Sequence, residues 1–496
     1  MKRIAKIIVL VLLLSVVLLP TLVACDKASS SSSASGSDRL VIYNWEDYID
    51  GERDEDGKTL LDEFADYYKE KTGRSLDITY TTFDTNETMM TKVLKGDANV
   101  DLICPSEYAI QKLMVAGCLL NHKDIKAEIQ ADLTKYDISL DAMSSLSEES
   151  GKWGNIDPDI MNAISDNFSQ VQTKSGKVCD MTEYMVPYMC GTLGILYNTS
   201  VVSREELEEY GWGVLWNVQQ NERLENKILM KDSVRDTYAA AIFYMYEYDT
   251  KHGTNFLPEK YKDYTVQQLI DCTDDEMVAA AEKVLTAQRE HISGYEVDFG
   301  KDDMINEIVY ADFAWSGDAL WAIEEGGQNE NGEDMLDYYV PPIASNIWYD
   351  GWCIPTSVNN KLAAMMFIDY MCSPMSSVRN SVAIGYTSAT DKNLLKADED
   401  VLQYLIDCEY SEDFSDESYF EDERRYPVID ETLGVMKDFG DRNDVVVNMW
   451  QRAKSGATVD VNLWYIILAI AGVVGLCIGV YFIVQALKRR PRKIKQ

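Results

Sequence analysis

The chain has little of what most catalytic centres are built from. Histidine occurs three times in 496 residues, at His122, His252 and His291. None stands in a nucleophile, metal-ligand or phosphate-loop context, and neither GxSxG nor HExxH occurs. No CxxC pair is present, so a structural zinc site is not expected. Basic residues are scarce too: 46 lysines and arginines face 83 acids, for a formal charge of -37. Nine of those positives lie at the two ends, which leaves about -46 on the rest. Such a field repels nucleic acid and free anions and concentrates small cations. Counting alone leaves a glycosidase-type carboxylate pair open, because acids are so abundant, but the balance is against an enzyme.

What is present begins with the ends. MKRIAKIIVLVLLLSVVLLPTLVAC joins a basic start to an apolar run and small residues before Cys25, which reads as an export signal over 1–24. Leu22-Val23-Ala24-Cys25 resembles a bacterial lipobox, in which Cys25 is lipidated; an uncleaved anchor helix is the alternative. The serine-rich stretch 25–38 reads as a flexible tether. From Trp464 to Val484 runs an unbroken series of 21 apolar or glycine residues. It is long enough to span a bilayer as a helix over 464–487, and the basic tail 488–496 places its end in the cytoplasm. The acidic middle is therefore expected to face outward from the cell membrane.

That middle alternates short apolar runs with helical periodicity. LVIY reads as a strand buried on both faces, followed by a helix carrying Leu60, Leu61, Phe64 and Tyr68 that stops at Gly73. LDITYTTF and VDLIC read as second and third strands, with Asn86 as the expected cap of the helix between them. Strands separated by single helices imply βαβ units and a parallel sheet. Ligands of such sheets bind beyond the carboxyl ends of the strands. Residues of about 121–186 are polar and weakly periodic and read as an insertion. A second unit starts at GTLGILYN, and KLAAMMFIDYM reads as an amphipathic helix back on the first lobe. The acidic residues 396–445 are expected to wrap the surface.

Aromatic and acidic residues gather at the expected strand ends: Trp45, Glu46, Asp47 and Tyr48; Ser106 and Tyr108; Asp236; Trp315 and Asp318; Trp348 and Asp350. A linear polyamine needs aromatic faces over its methylenes and carboxylates at its ammonium groups, and this set supplies both. One metal pattern competes. Glu52, Asp54, Asp56, Gly57 and Glu63 fall at positions of a calcium-binding EF-hand loop. Glu52 replaces the expected first Asp and Thr59 the usual apolar residue, which favours a solvated turn, so no metal or cofactor is expected.

The segments YNWEDYI (43–49), TFDTNETM (82–89), DLICPSEY (101–108), VPYMCGTLGILYN (186–198), DSVRD (232–236), WSGDA (315–319), WYDGWCIP (348–355) and GYTSAT (385–390) stand in an order that resembles the spermidine/putrescine-binding proteins of polyamine ABC transporters. The resemblance implies an α/β, two-lobed clamshell of the type II periplasmic-binding-protein class. Its lobes would be 39–190 and 191–350, with 351–455 returning to the first, and its hinge would lie near Gly191 and 343–354. It implies that Trp45, Trp315 and Trp348 box the ligand, that Tyr48, Ser106 and Tyr108 contact it from the first lobe, and that Asp350 is the principal ammonium acceptor. Asp318 matches an acid of the putrescine-type branch, and Asp47 and Asp236 match positions usually acidic. Glu46 and Ser233 depart from the pattern. The partners implied are a polyamine and ABC permease subunits, at a membrane and without nucleic acid. A clamshell for another cationic solute and a membrane-anchored polyamine sensor are the alternatives.

Overall fold

The apolar run LVIY becomes the centre of a sheet. The computed structural model describes residues 37–54, 56–140 and 154–455. In it the strand Ser37–Trp45 lies between two parallel neighbours, Ser75–Phe83 and Leu102–Ile103. Leu40 to Asn44 are all buried, as a strand covered on both faces requires. The helix Leu60–Thr72 starts on a capping box between Thr59 and Asp62 and stops at left-handed Gly73. It buries Leu60, Phe64 and Tyr68 at helical spacing, with Phe64 edge-on against Phe367. The helix Asn86–Lys95 is capped by Thr85, not Asn86. Asn86 is freed for another task, because its amide is buried beside Ser106 and Tyr108.

Two long strands tie the molecule together. Val186–Asn198 is buried along its whole length and runs antiparallel to Ser345–Trp352 through Val186 to Thr192. Its second half, Leu193 to Asn198, pairs with Ala311–Trp315 and Leu336–Tyr339. The core changes on the same strand. Val186 to Cys190 pack with Leu40, Phe64 and Phe367, whereas Leu193 and Ile195 pack with Trp212, Phe243 and Phe313. Ser345–Trp352 in turn runs on beside the first lobe: the Cys353 and Ile103 backbones exchange hydrogen bonds, and Gly351 N–H donates to the Pro105 carbonyl at 3.1 Å. Both lobes are therefore joined through continuous strands.

Several expectations need adjustment. The described part of 121–186, polar and weakly periodic in sequence, forms helices: His122–Glu128, Gln130–Tyr136 and Pro158–Phe168 bury Ile125, Leu133, Ile164 and Phe168 in the first lobe's core. Two of these helices have only seven residues, too few for a clear period. Helix Lys361–Met371 packs in the same core as Leu40 and Phe64, whereas the last helix, Asn443–Ser455, sends Val446, Met449 and Trp450 into the core around Trp212 and Phe243. Residues 396–445 are not merely a wrap, since Val401, Leu405, Tyr419 and Phe420 form a small core with Val378. All eight described cysteines are unpaired thiols. The export signal with Cys25, the tether before Ser37 and the apolar run Trp464 to Val484 lie outside the described residues. Among the described residues no helix is long and apolar enough to cross a membrane.

Candidate ligand-binding cleft

Strand ends deliver side chains from both lobes to the seam between them. Asp350 sits where a bulge interrupts the pairing of Ser345–Trp352. Its side chain is 5% exposed. Tyr48 donates its hydroxyl to Asp350 Oδ2 at 2.9 Å, and the Ser106 hydroxyl also bonds this carboxylate. Asp350 Oδ1 is buried without any partner. Burial, opposed by those two hydrogen bonds and aided by the charge of Asp236, pushes Asp350 up to about 7. Bare burial of a half-paired carboxylate is expensive unless a cation is meant to meet it.

An aromatic wall surrounds this acid. Tyr48 packs edge-on against Tyr188 and Tyr386, with centroids 5.7 and 5.5 Å away, and Trp348 packs on Tyr386 at 5.3 Å. The crossing strand makes room through glycine, because a Cβ on Gly191 would stand 2.5 Å from the Trp348 ring. Gly317 does the same for Tyr386, whose ring lies 2.2 Å from where its Cβ would be. Trp45 ends the first strand and leans on Phe83 at 4.6 Å. The chain then turns through Asp47 at φ 48, which leaves Glu46 and Asp47 exposed beside the half-buried Trp45.

The second lobe brings Asp236 in the first turn of helix Val234–His252, behind a Ser233 cap. Its carboxylate takes hydrogen bonds from the Ser233 hydroxyl and the Trp315 indole, and burial pushes it up to about 6. It keeps part of its surface open. Asp318 stands differently. Its Oδ1 accepts the Tyr386 hydroxyl at 3.1 Å, and the ammonium groups of Lys231 and Lys301 lie 3.5 and 3.7 Å from its two oxygens. Tyr108 is also occupied: the Arg235 guanidinium stacks 3.8 Å from its ring centroid, and its hydroxyl takes a hydrogen bond from Asn86 at 3.0 Å. Arg235 pairs with Glu87 at 3.0 Å as well, so a second-lobe cation bridges to the first lobe.

Sequence reasoning did not assign Tyr386, Asn86, Glu107, Lys231 or Arg235 to the cleft. All but Lys231 lie inside segments that carry the resemblance. Asn86 holds Ser106 through a 2.9 Å bond to its hydroxyl. Glu107 is buried, accepts the Tyr349 N–H at 2.9 Å, and is pushed up to about 8 chiefly by burial. It is a structural acid below Asp350 that no local pattern distinguishes. The calcium-like loop goes elsewhere: Asp62 caps a helix, Asp54 caps a turn, and Glu63 chelates Arg379. Among the described residues no acid, cysteine or histidine cluster could hold a metal.

Two α/β lobes joined by crossing strands, with acids and aromatic rings at the seam, define a clamshell solute-binding protein. The family model of the bacterial extracellular solute-binding protein matches residues 63–402. The chain belongs to that family and is a binding protein, not an enzyme. The putrescine-binding periplasmic protein PotF of Escherichia coli is 23% identical over 365 residues, 73% of this chain and 80% of the relative. The spermidine/putrescine-binding periplasmic protein of Salmonella typhimurium is 23% identical over 358 residues, 72% and 79% of the two chains. Among solved structures, a putative spermidine/putrescine ABC transporter protein from Listeria monocytogenes aligns with TM-score 0.56 at 23% identity, over 85% of this chain and 100% of that one. The PotD substrate-binding protein of Streptococcus pneumoniae aligns with TM-score 0.52 at 23% identity, over 84% and 99%. At that identity the structural likeness speaks for the fold.

Proposed function

We propose that this protein is the extracytoplasmic substrate-binding component of a polyamine ABC transporter. It captures its ligand by closing the two lobes and delivers it to permease subunits. The observation that carries this reading is Asp350: a buried carboxylate with one oxygen unpaired, walled by Tyr48, Trp348 and Tyr386. An ammonium group answers the orphan oxygen, and ring faces attract both the cation and its methylenes. Asp236 approaches from the other lobe, so that the cation is enclosed only when the lobes meet. The putrescine-binding and spermidine/putrescine-binding relatives support the same ligand class.

In this reading Trp45, Tyr48, Ser106, Trp315 and Trp348 line the ligand and Glu46 and Asp47 stand at the rim. Cys25 and the run Trp464 to Val484 would hold the protein on the outer side of the cell membrane, where captured solute is handed over. A melting screen of the full chain against putrescine, spermidine, spermine, arginine and calcium tests the reading. At a ligand concentration 100 times the dissociation constant, a polyamine should stabilise the protein by about 2.7 kcal/mol and raise its melting temperature accordingly. A shift with calcium or arginine and none with any polyamine would reject it.

A further inference from the structure

The acid cluster behind Trp315 already contains its own cations. Lys231 ends the strand Ile228–Lys231 with its side chain 1% exposed. Its ammonium lies 2.5 Å from Glu296 Oε1, 3.1 Å from the Val297 carbonyl, 3.5 Å from Asp318 Oδ2 and 4.3 Å from the Trp315 ring centroid. Lys301 reaches the other Asp318 oxygen, at 3.7 Å. Burial alone would lower the Lys231 ammonium, yet the charges of Asp318, Glu296 and Asp312 outweigh it and hold the group protonated, above its ordinary value. Asp312, buried beside Glu296, is itself raised well above the carboxylate range by burial first and Glu296 second. Lys231 and Lys301 thus stand against Glu296 and Asp318 before any ligand arrives.

We propose that Lys231 is a resident cation that takes up Asp318, so that the cleft encloses a single ammonium, at Asp350 with Asp236 approaching from the other lobe, and selects amines carrying one enclosed ammonium. This rests on Asp350 being an ammonium acceptor. A second ammonium arriving at Asp318 would meet two like charges, and Lys231 cannot withdraw without leaving Glu296 buried and unpaired. The Trp315 face that would attract such a group is also engaged by Lys231. No comparable cation stands against Asp350, whose Oδ1 has no partner at all.

Calorimetry on the full chain with putrescine and 4-amino-1-butanol, which replaces one ammonium by a hydroxyl, tests this. The unaltered protein should bind the two with dissociation constants within about tenfold of each other. A larger preference for putrescine would overturn the proposal while leaving the ammonium role of Asp350 intact. Binding of neither amine would remove that role and the proposal together. Lys231→Met should release Asp318 and favour putrescine over the amino alcohol by about 100-fold, while Lys231→Arg should keep the original ratio. An unchanged ratio in a folded Lys231→Met protein would also overturn it. If Lys231→Met fails to fold, the ratio in the unaltered chain still decides.

Discussion

At Asp350, burial and hydrogen bonding pull in opposite directions, and burial wins. The cleft therefore binds a proton at Asp350 and Asp236 more tightly than free aspartates do, against an ordinary value of 3.8. In the ligand-free protein the stability linked to these groups is present below that value and is lost as pH rises through about 6 and 7. An ammonium ligand reverses the preference and expels the protons. Affinity for putrescine should fall on the order of tenfold from pH 8 to pH 6, and the heat of binding near pH 6.5 should depend on the buffer's ionisation enthalpy. A flat profile would mean that Asp350 does not meet the cation. Much at this scale was readable: Tyr48, Ser106 and Asp350 do meet around one carboxylate. The state of Asp318 was not, because Lys231 at a strand end reads as a solvated lysine, and only the distant residues Glu296 and Asp312 make it a buried one.

Elements set the cleft's shape through close approaches that forbid a side chain. Gly191 lies where the two crossing strands bring Ser316 and Trp348 together, and a methyl there would stand 2.5 Å from both. Gly191→Ala should destabilise the protein by about 1 to 3 kcal/mol and weaken polyamine binding by moving the Trp348 ring; thermal melts and calorimetry read the two effects separately. Binding unchanged in that variant would place Trp348 outside the ligand's path. The strands and first helices were legible because their periods are strong and their stops, Gly73 and Gly96, are glycines in the left-handed region. The short helices of 122–136 were missed for the opposite reason. Asn86 was legible as a capping residue, but Thr85 one place earlier does that work, and register errors of one residue are common at helix starts.

For the whole molecule, the contacts between lobes fix how firmly a ligand is held. Arg235 of the second lobe stacks on Tyr108 and pairs with Glu87 of the first. Arg235→Ala should speed ligand dissociation about tenfold with less change in association, which stopped-flow measurement would show. The surrounding charge of -37 should make association with a cationic ligand slower at high salt. The two-lobed α/β plan was visible in the order of strand, helix and aromatic motif. The packing of helix Asn443–Ser455 in the second lobe was not, since an amphipathic helix carries no mark of which core receives it. The central claim is that Asp350 receives a polyamine ammonium. Calorimetric titration of putrescine into the full chain and into Asp350→Asn at pH 8 tests it most directly. The account predicts saturable binding to the unaltered protein and a loss of at least about 100-fold in Asp350→Asn, which should melt no lower because a buried charge is gone. Equal affinities in the two proteins would contradict it.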